Sequence, residues 1–465
     1  VQETVGKILI GKSENGKSIV LNSNMLCRHG VIGGATGTGK TVTLRVIIEG
    51  LSQQGIPCFI SDMKGDLSGI ARKGSNQEFK RKAKAMKIDD FAFEAFPCAF
   101  WDIFKESGMS IKTTVEEVGV PLLSRMLKLT NIQSGVLNII FKVAQDENFK
   151  LHTLSDLRKV IKYVVNNKED LSEDYGNIHS SSVSSIIRAL LGLEQQRGES
   201  LFGDEPFNLQ YLMCRDERGQ GVVSILDCVK LIREPLLYST FIIWLLNKLY
   251  NELEEVGDCD KPKLCLFFDE SHLIFEGLPK SVTQKITQVV KLIRSKGVGV
   301  YFISQNVTDI PDSILNQLSN RIQHAVRAYT KKELSNLKAT AQTFRQNPNL
   351  DIEECLYNMG VGQAVVSCLN GKGIPQQAEK TFILPPKSDL TVLNNNERIN
   401  YDLTHCDGFF KGCKPLKNTV IYNDVPTVQR SPQEPKNKPK KGNAKINNAK
   451  ILNNVANSIF NTIFR

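Results

Sequence analysis

The chain has 465 residues, 41% of them hydrophobic and 23% charged, which is ordinary globular make-up at a length that calls for two or more structural units. No apolar run reaches the roughly 20 residues of a membrane span, and Val1-Gln-Glu-Thr4 lacks the basic-then-apolar start of a signal peptide. None of the 11 cysteines forms a C-x-x-C pair, which speaks against zinc or a disulfide framework and fits a reduced, cytoplasmic setting.

In chain order, Lys7–Gly11 and Ser18–Asn22 are β-rich runs joined by the turn Ser13-Glu-Asn-Gly16, which predicts a hairpin within residues 1–28. Residues 29–67 open a strand–helix–strand unit with a right-handed crossover: a strand at His29–Gly33, a helix from Lys40 to Gln54 stopped by Gly55-Ile-Pro57, and a strand at Pro57–Asp62. From 68 to 209 the period turns helical, as in Val115–Leu129, Val136–Val143, Leu154–Val165 and Val183–Leu193, and an inserted, mainly helical subdomain is expected. Strand patterns return over 210–386, at Gly221–Leu226, Leu264–Asp269, Val298–Ser304, Arg321–Arg327, Gly362–Cys368 and Lys380–Leu384, with helices at Pro235–Glu255 and Ser281–Lys296 between them. Strands alternating with helices predict the α/β class with a mostly parallel sheet. Residues 387–450 read as an extended basic tail. Ser431–Lys450 alone carries six lysines and one acid, about half of the chain's net charge of +10, so charge by itself is a thin argument for a nucleic-acid partner. Ile451, Leu452, Val455, Ile459 and Ile463 then fall at helical spacing, on a helix over 451–465 that either docks a protein partner or folds back on its own domain.

The run Gly34, Ala35, Thr36, Gly37, Thr38, Gly39, Lys40, Thr41 fits G-x-x-x-x-G-K-[ST] in full, between an apolar strand and an amphipathic helix that begins with Val42 in its first turn. Gly37 and Gly39 let the chain curl so that successive amides face one centre, a nest for oxyanions at a positive helix end. Lys40 sets a full charge between β- and γ-phosphates, and the Thr41 hydroxyl ligates the bridging Mg²⁺. ATP and Mg²⁺ are therefore the expected ligands.

Hydrolysis needs a second carboxylate for the metal and a group that activates water. Leu264-Cys-Leu-Phe-Phe-Asp269-Glu270 is an apolar strand ending in two acids. Asp269 is assigned to Mg²⁺, through a water, and Glu270 to the attacking water as base. Beside a P-loop this reading outweighs that of a solvated Asp-Glu turn. Val300-Tyr-Phe-Ile-Ser304-Gln305 ends another apolar strand, and Gln305 is a candidate sensor of the γ-phosphate. Asp62 and Lys64 end a third strand; Asp62 is a candidate for the metal shell and Lys64 for phosphate or DNA. His272 is read as structural.

Together, Arg28-His29-Gly-Val-Ile-Gly-Gly-Ala-Thr-Gly-Thr-Gly-Lys-Thr41, Asp62-Met-Lys-Gly-Asp66, Phe268-Asp-Glu270 and Ser304-Gln305 resemble the HerA/FtsK group of motor ATPases, and within it the bacterial HerA-like, YjgR-type family. Phe100-Trp-Asp102, Gln133-Ser-Gly-Val-Leu-Asn138, Tyr175-Gly-Asn177, Asn320-Arg-Ile-Gln-His324 and Arg327-Ala-Tyr-Thr330 extend the resemblance to about Pro386. It implies a RecA-like P-loop core, a homo-hexameric ring, ATP-driven movement on DNA, and an arginine that completes the neighbouring subunit's site. Arg294 is the first candidate for that arginine and Arg321 the second. The N-terminal β-barrel of archaeal HerA proteins is not expected, because about thirty residues before Gly34 hold a hairpin and no barrel.

Three functions compete at this point. The first is a DNA translocase or helicase. The second is a protein-transport ATPase of the conjugative secretion type, and the third a nucleotide-gated scaffold. A basic pore would favour the first, and Lys64, Arg72, Lys73 and Lys80-Arg-Lys82 are its only visible candidates; a solvated helix face explains the last cluster more simply.

Overall fold

The computed structural model describes residues 6–278, 280–398 and 423–425; the helix expected at 451–465 and most of the tail before it lie outside these residues. Twelve strands form one sheet: β1 (Lys7–Ser13), β2 (Ser18–Asn22), β3 (Gly30–Gly33), β4 (Cys58–Asp62), β5 (Cys98–Asp102), β6 (Met109–Ser110), β7 (Val223–Asp227), β8 (Leu264–Phe268), β9 (Val298–Ser304), β10 (Asn320–His324), β11 (Gln363–Ser367) and β12 (Glu379–Ile383). Their spatial order is β2-β1-β12-β11-β10-β3-β9-β8-β4-β7-β5-β6. The eight from β10 to β6 are parallel, and the four from β11 to β2 add antiparallel pairs at one side.

The central parallel strands are mostly apolar because helices cover both faces. Every residue of β3, β4, β5, β8 and β9 is buried. Alternate side chains feed two cores. One contains Ile32, Ile60, Phe267 and Ile303 and packs under the P-loop helix, Lys40–Gln53. The other contains Phe59, Phe268 and Phe302 and joins the helix Pro235–Glu252 and the helices between Val115 and Gln195. The latter helices start on sequence-encoded caps: Thr130 with Gln133 and Thr153 with Asp156 form reciprocal capping boxes, each worth about 1 kcal/mol.

Two strands within 68–209, β5 and β6, join the main sheet, where the sequence predicted a mainly helical stretch. Cys98-Ala-Phe-Trp-Asp102 is five buried residues long, and periodicity cannot tell so short an apolar run from a helix turn. Residues 387–398 also depart from the expected extended tail. The Lys387 and Ser388 amides donate to the Glu49 carboxylate, Arg45 donates to the Asp389 carbonyl, and the Leu393 amide donates to Ser68 Oγ. This strap lies along the P-loop helix and the segment after β4.

Candidate active site

In a parallel sheet all strands end at one edge, and connections there collect the residues that meet ligands. Here β3, β4, β8 and β9 bring the P-loop, Asp62, Asp269–Glu270 and Gln305 to that edge. The register is direct: Gly33 pairs with Ser304 across β3–β9, and Ser61 with Phe268 across β4–β8.

The cradle turns out of β3 on residues that only glycine suits. Gly34 has φ 145°, and a Cβ there would meet His324 Cβ at 2.5 Å; Gly39, which opens the helix, has φ 112°. Thr38 Oγ1 donates to the Ala35 carbonyl at 2.7 Å, and Gly362 N donates to the Thr38 carbonyl at 3.1 Å. His324, at the end of β10, supports the loop from below through a 2.8 Å bond between Nε2 and Thr43 Oγ1. Burial holds its imidazole down to about 4. The Ala35 amide, expected to face phosphate, instead donates to the Ala325 carbonyl at 2.9 Å, so it ties the loop to the chain leaving β10.

Lys40 is buried, and its Nζ donates to the Gly34 and Ala35 carbonyls at 2.5 and 3.0 Å. Burial, then Lys64, lowers its pKa, while Glu270 and Asp269 act to raise it. Asp269 is nearly buried, and burial lifts its carboxyl to about 6 against the pull of Lys64. Its backbone is fixed from β4: the amide donates to Ser61 Oγ at 3.1 Å, and Ser61 bonds Tyr238 Oη at 3.0 Å.

Glu270 stands in the left-handed region at φ 45°. A non-glycine residue there costs on the order of 1–3 kcal/mol and persists only where its surroundings hold it. The hold is visible. Its amide donates to Asp269 Oδ1 at 2.9 Å, and its Oε1 accepts from Gln305 Nε2 at 3.1 Å and pairs with Lys64 Nζ at 3.4 Å. Gln305 Oε1 in turn accepts from Thr36 Oγ1 at 3.0 Å. One amide side chain thus bridges the cradle to Glu270. His272 Nδ1 lies 3.5 Å from Glu270 Oε2.

One expectation is corrected. Asp62 does not offer its carboxylate to a metal: Oδ1 accepts the Gly65 and Asp66 amides at 2.8 and 3.3 Å, and Oδ2 accepts the Leu67 amide at 3.0 Å. Burial raises this group to about 6 despite those amides. Lys64, partly exposed, pairs with Glu270 in this structure, and although burial acts against it, Asp269 and Glu270 raise its pKa. The clamp on this loop was invisible in sequence because it depends on a reversal at Gly65, φ 71°, and on partners from elsewhere. Arg45 donates to the Asp66 carbonyl, and Arg398 donates to the Gly65 carbonyl at 3.3 Å and to Asp227 Oδ2 at 2.7 Å.

Arg294 and Arg321 do not join this site. Arg294 precedes β9, at the opposite edge of the sheet, and lies 3.5 Å from Asp258, which also faces Arg28 at 3.9 Å. Arg294, Arg28 and Lys291 line a cavity of about 380 Å³ there. Arg321 pairs with Val31, two residues before the end of β3, and its guanidinium donates to the Leu315 carbonyl at 3.1 Å.

The residues fit Mg·ATP. Lys40 supplies charge at the cradle, while the Thr41 hydroxyl and, through a water, the Asp269 carboxylate would offer the hard oxygen donors that suit Mg²⁺. Val42 is half-buried against the core under the helix and contributes its place in the first turn.

A large, mostly parallel sheet with this cradle and acid pair at its carboxyl edge defines a P-loop ATPase of the motor type. More narrowly, the chain belongs to the family described as helicase HerA-like C-terminal, whose profile matches residues 7–457. It is similar to the DNA double-strand break repair helicase HerA of Saccharolobus solfataricus, 23% identical over 365 residues; the match covers 77% of this chain and 64% of that protein, so the chain spans less than two thirds of this relative. Its fold is shared by the bacterial conjugative coupling protein TrwB without its first 70 residues (TM-score 0.53, 13% identity, 85% of this chain and 91% of that one). It is shared too by VirB4 of Thermoanaerobacter pseudethanolicus (TM-score 0.52, 16% identity, 82% and 97%) and by the plasmid coupling protein TrwB in complex with ADP and Mg²⁺ (TM-score 0.51, 13% identity, 82% and 89%). Among the described residues no helix is long and apolar enough to cross a membrane.

Proposed function

We propose that this chain hydrolyses Mg·ATP and uses the cycle, as a ring of identical subunits, to move along DNA. The observation that carries the hydrolytic part is the bridge Thr36–Gln305–Glu270, which couples the cradle to the residue placed to activate water. In this reading the P-loop amides and Lys40 bind and orient the β- and γ-phosphates. Thr41, with Asp269 through a water, would hold Mg²⁺, which would supply charge that offsets the phosphate oxygens. Glu270 takes a proton from water, and Gln305 reports the state of the cradle to it. A ring is supported by the placing of Arg294, which is remote from its own P-loop and open to a neighbour's. DNA as the track is supported by membership of a helicase family and by the name of the archaeal relative.

The test is ATPase activity of wild type and Glu270→Gln, with and without single- and double-stranded DNA, beside mass measurement in ATP. DNA should raise the wild-type rate, with a response that weakens steeply as salt rises. Glu270→Gln should keep nucleotide and lose at least about 100-fold in turnover. Wild-type turnover in Glu270→Gln removes the assignment of the base. A rate indifferent to both kinds of DNA removes the track and leaves hydrolysis standing, as a protein-transport motor requires.

A further inference from the structure

The carboxylate of Glu270 is held unevenly. Two donors converge on Oε1: Gln305 Nε2 at 3.1 Å and Lys64 Nζ at 3.4 Å. Among the described residues Oε2 accepts no hydrogen bond, although it is buried, and only His272 Nδ1 stands near it, at 3.5 Å. A carboxylate gripped at one oxygen cannot rotate freely, so the two oxygens are not equivalent. The gripped one has its lone pairs engaged. The other keeps them free and is the better proton acceptor.

Lys64 is suited to hold rather than to move. Its side chain is 38% exposed while that of Glu270 is 6% exposed, so the ammonium reaches inward from a partly open position. The backbone around it is pinned from three directions. Asp62 collects the amides of Gly65, Asp66 and Leu67; Arg45 of the P-loop helix takes the Asp66 carbonyl; Arg398 of the strap takes the Gly65 carbonyl. A cation on so fixed a loop defines where its partner carboxylate sits. Glu270 needs such a definition, because its own backbone is in a strained region at φ 45°.

We propose that Lys64 is a positioning residue for hydrolysis: with Gln305 it holds Oε1 of Glu270 and so presents Oε2 as the proton-accepting atom. The inference rests on the ATPase reading given above. In the step it serves, Oε2 accepts a proton from water, and the water oxygen forms a bond to the γ-phosphorus. The bond from that phosphorus to the β,γ-bridging oxygen breaks, and its electron pair leaves with ADP. Lys64 touches none of the reacting atoms. It acts through Glu270.

The experiment is a cycle of Lys64→Met, Lys64→Arg, Glu270→Gln and the Lys64→Met/Glu270→Gln double variant. It is read by steady-state kcat and KM, by single-turnover hydrolysis, and by binding of a fluorescent ATP analogue. In Lys64→Met, kcat should fall about tenfold or more with KM and nucleotide affinity within about twofold, and Lys64→Arg should recover most of the loss. In the Glu270→Gln background, Lys64→Met should cost nothing further, because the group it positions is gone. Unchanged kcat in Lys64→Met overturns the proposal. So does a raised KM or weakened nucleotide binding, which would put Lys64 on phosphate. A further fall in the double variant also overturns it. If Lys64→Met melts well below wild type, Lys64→Gln takes its place under the same criteria. A wild-type protein that binds ATP without hydrolysing it defeats the ATPase reading itself, an outcome distinct from a competent wild type matched by Lys64→Met.

Discussion

The two edges of the parallel sheet use their charged residues differently. At the carboxyl edge five acids end or follow strands: Asp62, Asp102, Asp227, Asp269 and Glu270. Three of them are consumed within the chain. Asp62 and Asp102 cap the amides of the loops that follow them, and Asp227 holds Arg398 and Ser107. Of these five, Asp269 and Glu270 are the pair proposed to work on a ligand. At the amino edge the prominent charges are Arg28, Arg294 and Lys291, with Asp258 as their partly satisfied counterpart. The five acids thus divide into a structural set and a pair proposed for chemistry, while Arg28 and Arg294 at the other edge share one exposed acid, Asp258.

The largest effect should come from joining the two edges in trans. Arg294→Ala should lower kcat by about 100-fold or more with nucleotide binding intact, since a transition-state arginine acts after binding. Mixing it with Glu270→Gln should restore activity at about one interface in four, each built from an intact Glu270 and a neighbour's intact Arg294. ATPase titration of mixed subunits measures this. Recovery that never exceeds the sum of the two parents refutes Arg294, and Arg321→Ala then takes its place in the assay.

Next in size is the structural set at the carboxyl edge. Arg398→Ala leaves Asp227 without its cation and the Gly65 carbonyl without a donor, and should cost about 3 kcal/mol of stability. Chemical denaturation of Arg398→Ala, Asp227→Asn and the pair measures it. Losses that simply add show that the two residues do not act together.

The smallest is a pH effect at the basic edge. Burial, helped by Arg294 and Arg28, holds the His29 imidazole at about 4, and its Nδ1 accepts the Val300 amide at 3.1 Å. A folded-state value below the unfolded value of about 6.5 gives stability that is complete above pH 6.5 and is lost as pH falls toward 4. Between pH 7 and 5 the loss should be about 2 kcal/mol, and His29→Asn should remove that share. His324 adds in the same direction; Asp62, raised to about 6, acts oppositely, its ionised form destabilising as pH rises through 6. Equal slopes of stability against pH in wild type and His29→Asn would place the titration elsewhere.

The contrast between the edges also explains what could be read in advance. Strand, glycine-rich turn and helix are contiguous in sequence, so the P-loop is legible from residue types alone, as is the apolar run that ends in Asp269–Glu270. The parallel order follows from alternating periods. What could not be read depends on distant partners. The amide of Ala35 is spent on a carbonyl 290 residues away, at Ala325. Asp62 looks identical in sequence to a metal-binding acid at a strand end, and only the path of the next five residues separates the two. Arg45 and Glu49 stand four apart on a helix, a spacing that suits a surface ion pair, yet both are buried, beneath Ser388 and Asp389.

That last burial governs how the molecule can be cut. A shortened version ending at Pro386, where the strand pattern gives out, would bare a guanidinium and a carboxylate on the very helix that begins with Lys40 and Thr41. It would also release the carbonyl of Gly65, the neighbour of Lys64, which Arg398 holds. Any fragment meant to bind nucleotide should therefore run through Arg398, and a protease that clips between Leu384 and Ser388 should silence the site without touching a residue that meets ATP.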